Sequence, residues 1–249
     1  MRVLNNTGAI AKRAKIAQIT NLAGILILGA GLVISLTKPE WSLYTLVLLV
    51  VGVISSQYGI ATAYRYARRP RPDQQLADAL KGLDDRYRLY NYVLPAHHVL
   101  LTPRQLHVVI LRGIGGQIIC EGRRWQHARR FSLRRILRIF SPEGLGNPVR
   151  EAEWDRDALQ EWVRRNVNGI EVEVDPLVVF LNPQVEIEER NPAVRPIRAK
   201  QLKEALRRGG GTPLGSDSYR ALASAFDGAA SAVGADEKGP ERRRSEAKR

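Results

Sequence analysis

The chain has 249 residues, a formal net charge of +14 at neutral pH and a single cysteine, Cys120. One cysteine excludes an intramolecular disulfide framework and fits a reducing cytoplasm. The basic surplus points to an anionic partner or surface, nucleic acid or lipid headgroups.

Residues 1–15 form a basic N-terminal stretch with Arg2, Lys12, Arg13 and Lys15 and no acid. Residues 16–37 and 41–64 follow, each without a charge. At about 1.5 Å rise per residue these runs reach roughly 33 and 36 Å, enough to cross a hydrocarbon core of about 30 Å. Lys38-Pro39-Glu40 between them allows only a tight antiparallel hairpin, with Trp41 and Tyr44 placed as interfacial aromatics. Arg65, Arg68, Arg69 and Arg71 follow the second run, so basic groups flank both outer ends. The positive-inside rule then expects a multi-pass protein of the cell (inner or plasma) membrane, both termini cytoplasmic. Ser55, Gly59 and Ala63 recur at four-residue spacing. Such a ridge permits close helix approach, either to a second protomer in a homo-oligomer or to the first helix of the same chain.

Pro70 and Pro72 end this region. Asp73 opens an amphipathic helix carrying Leu76, Ala77, Leu80 and Leu83 on one face. Strand-like runs follow at 88–93, 99–102, 106–111 and 117–120, with turn residues between them. Residues 131–140 suit a strand pair or a short helix equally. Asn147-Pro148 starts a helix over 149–166, with Trp154, Ala158, Leu159, Trp162 and Val163 at helical spacing. Residues 177–181 form an apolar run typical of a buried central strand. Short strands are expected at 185–187 and 194–197, and a helix at 200–208. From residue 209 to 249 the composition turns to Gly, Ser, Ala and charge, which predicts disorder.

Four stretches in this order resemble the nuclease-related domain family, NERD, over roughly residues 73–208. They are DQQLADALKGLDDRYRLYNYVL; HHVLLTPRQLHVVILRGIGGQI with CEGRRW; NPVREAEWDRDALQEWV; and DPLVVFLNPQVEIE with VRPIRAKQLKEAL. The resemblance implies an α/β restriction-endonuclease-like domain behind an α-helical transmembrane hairpin. Family members carry an acid in the opening helix, an Asp before the second strand, Glu-x-Lys on the third, and a Gln after Asn-Pro. In such sites two carboxylates hold Mg²⁺, which stabilises charge on the attacked phosphate, and the Lys positions water. Matched residue by residue, Asp73 keeps the opening acid, His97 replaces the Asp, Ile110 the Glu, Arg112 the Lys and Glu151 the Gln. Ile110 cannot ligate a metal, and Arg112 stays protonated at any usable pH. No cofactor is therefore expected; Mg²⁺ belongs only to an alternative, a nuclease with a relocated ligand set around Asp73 and Glu151.

His97, His98, His107 and Cys120 raise the question of zinc, but their spacing fits no compact ligand pattern and no metal site is expected. Gly113-Ile114-Gly115-Gly116 lacks the residues of a nucleotide loop and reads as a turn. Arg123, Arg124, Arg129, Arg130, Arg134, Arg135 and Arg138 cluster without an intervening acid, with Trp125 and Phe131 interleaved. Guanidinium groups beside aromatics suit phosphate contact and base stacking, and equally a patch on anionic lipid or a solvated basic face. The expectation is a membrane-anchored pseudoenzyme that binds a polyanion, DNA, RNA or membrane lipid, through this region. A non-enzymatic membrane assembly subunit is the third reading.

Overall fold

The computed structural model describes residues 1–128, 144–209 and 213–238. In chain order they form β1 (Arg2–Asn5), α1 (Thr7–Thr37), α2 (Ser42–Tyr66), α3 (Pro72–Ala79), β2 (Arg88–Asn91), β3 (His98–Leu101), β4 (Leu106–Arg112), β5 (Gly116–Gly122) and β6 (Arg124–His127). Then come α4 (Pro148–Asn166), β7 (Val174–Phe180), β8 (Val185–Pro192), β9 (Arg195–Arg198), α5 (Ala199–Arg208), α6 (Ser216–Ala232) and β10 (Asp236–Lys238). The chain separates into two compact units, an α/β domain and a helical hairpin.

The domain is built on a mixed seven-stranded sheet in the order β10-β1-β2-β3-β4-β7-β9, with a smaller sheet β6-β5-β8. β4 pairs in parallel with β7, and β7 with β9. All seven residues of β4 are buried, as expected for a Val- and Ile-rich strand covered on both faces. Alternation sorts its side chains. Leu106 and Val108 pack with Leu159 and Val163 of α4 and with Leu222 and Phe226 of α6. Val109 and Leu111 pack with Leu76 of α3 and with Leu202 and Leu206 of α5. Ile110 joins a third cluster with Val149 and Ala152 of α4. Helices α3 and α5 thus cover one face of the sheet, α4 and α6 the other.

Two parts of the expected organisation are corrected. Residues 216–238, expected within a disordered tail, supply α6 and β10. Leu222, Ala223, Phe226 and Ala230 lie on one buried face of α6, and Phe226 meets Tyr90 edge-on at 5.4 Å. That burial outweighs the low-complexity composition around it. The first residues are not a separate basic stretch either: Arg2–Asn5 lies in the sheet between β10 and β2, and α1 begins at Thr7. Asn5, Asn91 and His98 stand side by side on β1, β2 and β3. The Asn91 amide donates to Asn5 Oδ1 at 2.7 Å, and its carbonyl oxygen meets His98 Nδ1 at 2.8 Å. Because all three are buried, this ladder holds the N-terminal strand in register.

In the hairpin, the buried positions of α1 are Ile10, Ala17, Gly24 and Gly31, and those of α2 are Thr45, Gly52, Gly59 and Tyr66. Both sets repeat every seven residues, the period that keeps a seam facing one partner helix. Most seam residues are small, so the backbones approach closely. Ser55 Oγ donates to the Thr20 carbonyl at 3.1 Å, and a Cβ at Gly59 would lie 2.5 Å from the Asn21 nitrogen. Of the two uses foreseen for the Ser55–Gly59 ridge, this structure has the contact with the first helix. Outside the seam the helices carry exposed apolar side chains, among them Leu36 at 76% and Leu43 at 70%.

Candidate functional site

α4 organises the site. Asn147 caps it, accepting from Arg150 N at 3.0 Å, and Pro148 occupies its first turn. Val149, Ala152, Leu159 and Val163 turn inward, which directs Glu151 and Asp155, one helical turn apart, along the same edge.

Glu151 meets Arg112 at the C-terminal end of β4. The guanidinium Nη2 donates to Glu151 Oε1 at 2.6 Å, Nε to the Leu145 carbonyl at 3.0 Å and Nη1 to the Leu111 carbonyl at 3.0 Å. The Arg112 side chain is only 4% exposed. A buried guanidinium needs such a set of acceptors, because desolvation of its charge is otherwise uncompensated. Ile110, one step inward on the same face, is packed among apolar groups. At the mouth of β3, His97 takes Asp155 as its partner. Its backbone nitrogen lies 3.1 Å and its Nδ1 3.2 Å from Asp155 Oδ2.

Of the five positions matched to the nuclease pattern, the structure therefore brings Ile110, Arg112 and Glu151 together. His97 is drawn to Asp155. Asp73 is buried at the start of α3, the helix whose apolar face packs on the other side of the sheet. No three His, Cys, Asp or Glu side chains converge as a metal site among the described residues. The donor set does not fit Mg²⁺: a hard cation needs several anionic oxygens, and here a guanidinium sits on the Glu151 carboxylate. Asp155 was not foreseen; the signal available was its position four residues after Glu151 on a helix.

The other candidates also have definite surroundings. His98 belongs to the buried ladder, and His107 Nδ1 lies 3.0 Å from Asp175. Burial pushes the Cys120 thiol up to about 12, so it is a protonated core group. Of the arginine cluster, Arg123 and Arg124 are exposed, and Arg123 pairs with Glu153. Trp125 is 8% exposed and stacks on Phe180, with its indole N–H on the Gly122 carbonyl. It is a core side chain, which corrects its assignment to a stacking surface. Arg129, Arg130, Arg134, Arg135 and Arg138 lie outside the described residues, as does the expected element at 131–140. Trp154, placed by its spacing among the inward positions of the helix, is instead 68% exposed, with the Arg150 guanidinium 5.3 Å from its ring. It borders an open cleft of about 400 Å³ that Arg123 and Arg156 also line.

Against known proteins, no curated sequence and no solved structure matches this chain. The family model described as the nuclease-related domain matches residues 71–181, the stretch from α3 through β7 that holds Asp73, His97, Ile110, Arg112 and Glu151. This chain thus carries a nuclease-related domain at residues 71–181, preceded by two long apolar helices.

Proposed function

We propose that the protein is a membrane-anchored binding protein whose nuclease-related domain, of the restriction-endonuclease-like kind, has given up metal-dependent cleavage and holds nucleic acid through charge and stacking. The observation that carries this reading is the Arg112–Glu151 contact. Where the resemblance sets a Lys beside metal-bound carboxylates, a buried guanidinium already pairs with the Glu151 carboxylate. His97, at the position matched to the family's Asp, brings no carboxylate of its own and lies 3.2 Å from Asp155.

The membrane half rests on two helices, roughly 46 and 38 Å long, which expose large apolar side chains from Ile16 to Leu36 and from Leu43 to Ile60, with Lys12, Arg13, Lys15 and Arg65 at the outer ends. Since β1 and α3 belong to one domain, the chain leaves that domain and returns to it, so a crossing hairpin keeps both ends on one side. The basic flanks favour the cytoplasmic side. Nucleic acid is the favoured ligand because an exposed Trp beside Arg150 suits base stacking. The Arg-rich stretch 123–138 adds phosphate-binding charge.

The test uses the full-length protein in nanodiscs with labelled single-stranded DNA, duplex DNA and RNA, in Mg²⁺, Mn²⁺ or EDTA. Retarded but intact nucleic acid is expected, with retention weakened at least tenfold by Arg129→Glu with Arg130→Glu, and by Trp154→Ala. Cleavage that EDTA abolishes would overturn the loss of activity. Neither cleavage nor retardation, together with binding to phosphatidylserine vesicles, would replace nucleic acid by anionic lipid.

A further inference from the structure

A second polar site lies on the face of the main sheet that α5 covers, at the opposite end of the parallel strands from Arg112. A cavity of about 210 Å³ opens there beside the first residues of β4, β7 and β9. Its floor is apolar, formed by Leu177, Ile197 and Leu206. Its charged lining is Arg104, Arg195 and the Asp175 carboxylate, and neither arginine forms an ion pair among the described residues. His107 stands directly across from Asp175 in the β4–β7 register and is 5% exposed. With Nδ1 held by that carboxylate at 3.0 Å, its Nε2 has no protein partner among the described residues.

Arg104 is held in place by its surroundings. Thr102 Oγ1 accepts from the backbone nitrogens of Arg104 and Gln105, at 3.3 and 2.9 Å, and the Arg104 carbonyl accepts from Leu214 N at 3.0 Å. Its side chain crosses Gly209, whose φ is +61° and where a Cβ would lie 2.6 Å from Arg104 Cδ. Only glycine meets both the backbone conformation and the close approach. A larger residue at 209 would push the guanidinium away from the rim.

We infer that this cavity binds a small dianionic oxyanion of the phosphate monoester class. Two guanidinium forks match phosphate oxygens by paired hydrogen bonds, and the imidazole supplies a third polar contact. The space is smaller than the roughly 300–1,000 Å³ of drug-sized ligand sites, so it suits a phosphate with a short organic group. The apolar floor receives that group. A monocarboxylate would leave one guanidinium unmatched.

The full-length protein in nanodiscs is titrated with inorganic phosphate, phenyl phosphate and benzoate at constant ionic strength, followed by calorimetry and thermal shift. Saturable binding of both phosphates is expected, phenyl phosphate the tighter and benzoate at least about tenfold weaker. Arg104→Gln and Arg195→Gln each lower phosphate affinity about tenfold, while Arg220→Gln on α6 leaves it unchanged. Ala205→Leu fills the space without touching a charge and selectively excludes phenyl phosphate. Thermal unfolding of each variant without ligand verifies its folding. No saturable binding of either phosphate, an equal response to benzoate, or unchanged affinity in the Arg104→Gln/Arg195→Gln double variant would overturn the inference. Nucleic-acid retention is expected to be unaffected by these substitutions, so this site and the proposed nucleic-acid surface stand or fall separately.

Discussion

Arg112, set by the resemblance at a Lys position, is buried against Glu151, and that pairing has an energetic signature. A buried guanidinium that loses its carboxylate partner retains its charge, because arginine stays protonated. Glu151→Ala should therefore destabilise the protein by about 1–3 kcal/mol, at the lower end because the Glu151 side chain is 43% exposed. Arg112→Met with Glu151→Met should lose less than the sum of the two single substitutions, measured as thermal unfolding in a double-mutant cycle. Additive losses would mean that the pair is not coupled. Sequence alone raised the expectation that Ile110 and Arg112 break the nuclease pattern, since residue identity sets ligand chemistry. It did not disclose that Arg112 selects Glu151, or that Trp125 and Trp154 exchange expected roles. Both indoles sit in sequence contexts that fit either face, and only packing against Phe180 fixes Trp125 inside.

Two elements depend on contacts far from their own sequence. In the hairpin, Gly59 faces Asn21 and Gly24 faces Ser56 at distances that leave no room for a side chain. Gly59→Val should weaken the α1–α2 seam by about 1–3 kcal/mol. Gly29, with nothing within 4 Å of its Cβ position, should accept alanine without loss. Distances between spin labels on the two helices would separate these outcomes. β10 is held at the domain's edge partly by charge: Arg2 Nε and Nη2 donate to the two Glu237 oxygens at 2.7 and 3.0 Å. This hydrogen-bonded pairing holds the Glu237 carboxyl below its ordinary value of 4.5. A depressed carboxylate stabilises the fold at neutral pH, and the contribution is lost as pH falls below 4.5 toward the folded-state value. Because Glu237 is 43% exposed, screening limits the effect to about 1 kcal/mol or less. Hydrogen-exchange protection of residues 236–238, taken relative to the intrinsic rate at each pH, should fall through that acid range in the wild type, and Glu237→Gln should show the lower protection already at neutral pH.

At the scale of the molecule, the helical hairpin is an insertion between the first strand of a sheet and the remainder of its domain. Deleting residues 1–71 removes β1, its hydrogen bonds to β2 and β10, and Asn5 from the buried ladder. It also takes Arg2 away from Asp227, which accepts from Tyr90 at 2.8 Å as well. Such a truncated domain should unfold at a clearly lower temperature or aggregate through the exposed edge of β2. Replacing only residues 8–71 by a flexible linker of about 20 residues, which reaches roughly 25 Å, should restore cooperative unfolding. Equal stability of the truncated and linked forms would show that β1 contributes little.

Sequence by itself determined the two long apolar helices and the nuclease-related core, because hydropathy runs and strand periodicity are written in consecutive residues. The proposed loss of the ligand pattern also starts from sequence, because it requires only the identity of residues at matched positions. Tertiary structure alone decided that β1 and β10 close the sheet, that a Ser- and Ala-rich segment folds as α6, and that Asp155 meets His97. It likewise decided that Arg104, His107 and Arg195 share one cavity. Each of these pairs residues far apart in the chain, and local patterning carries no record of which distant surface will bury a strand, a helix face or a charge.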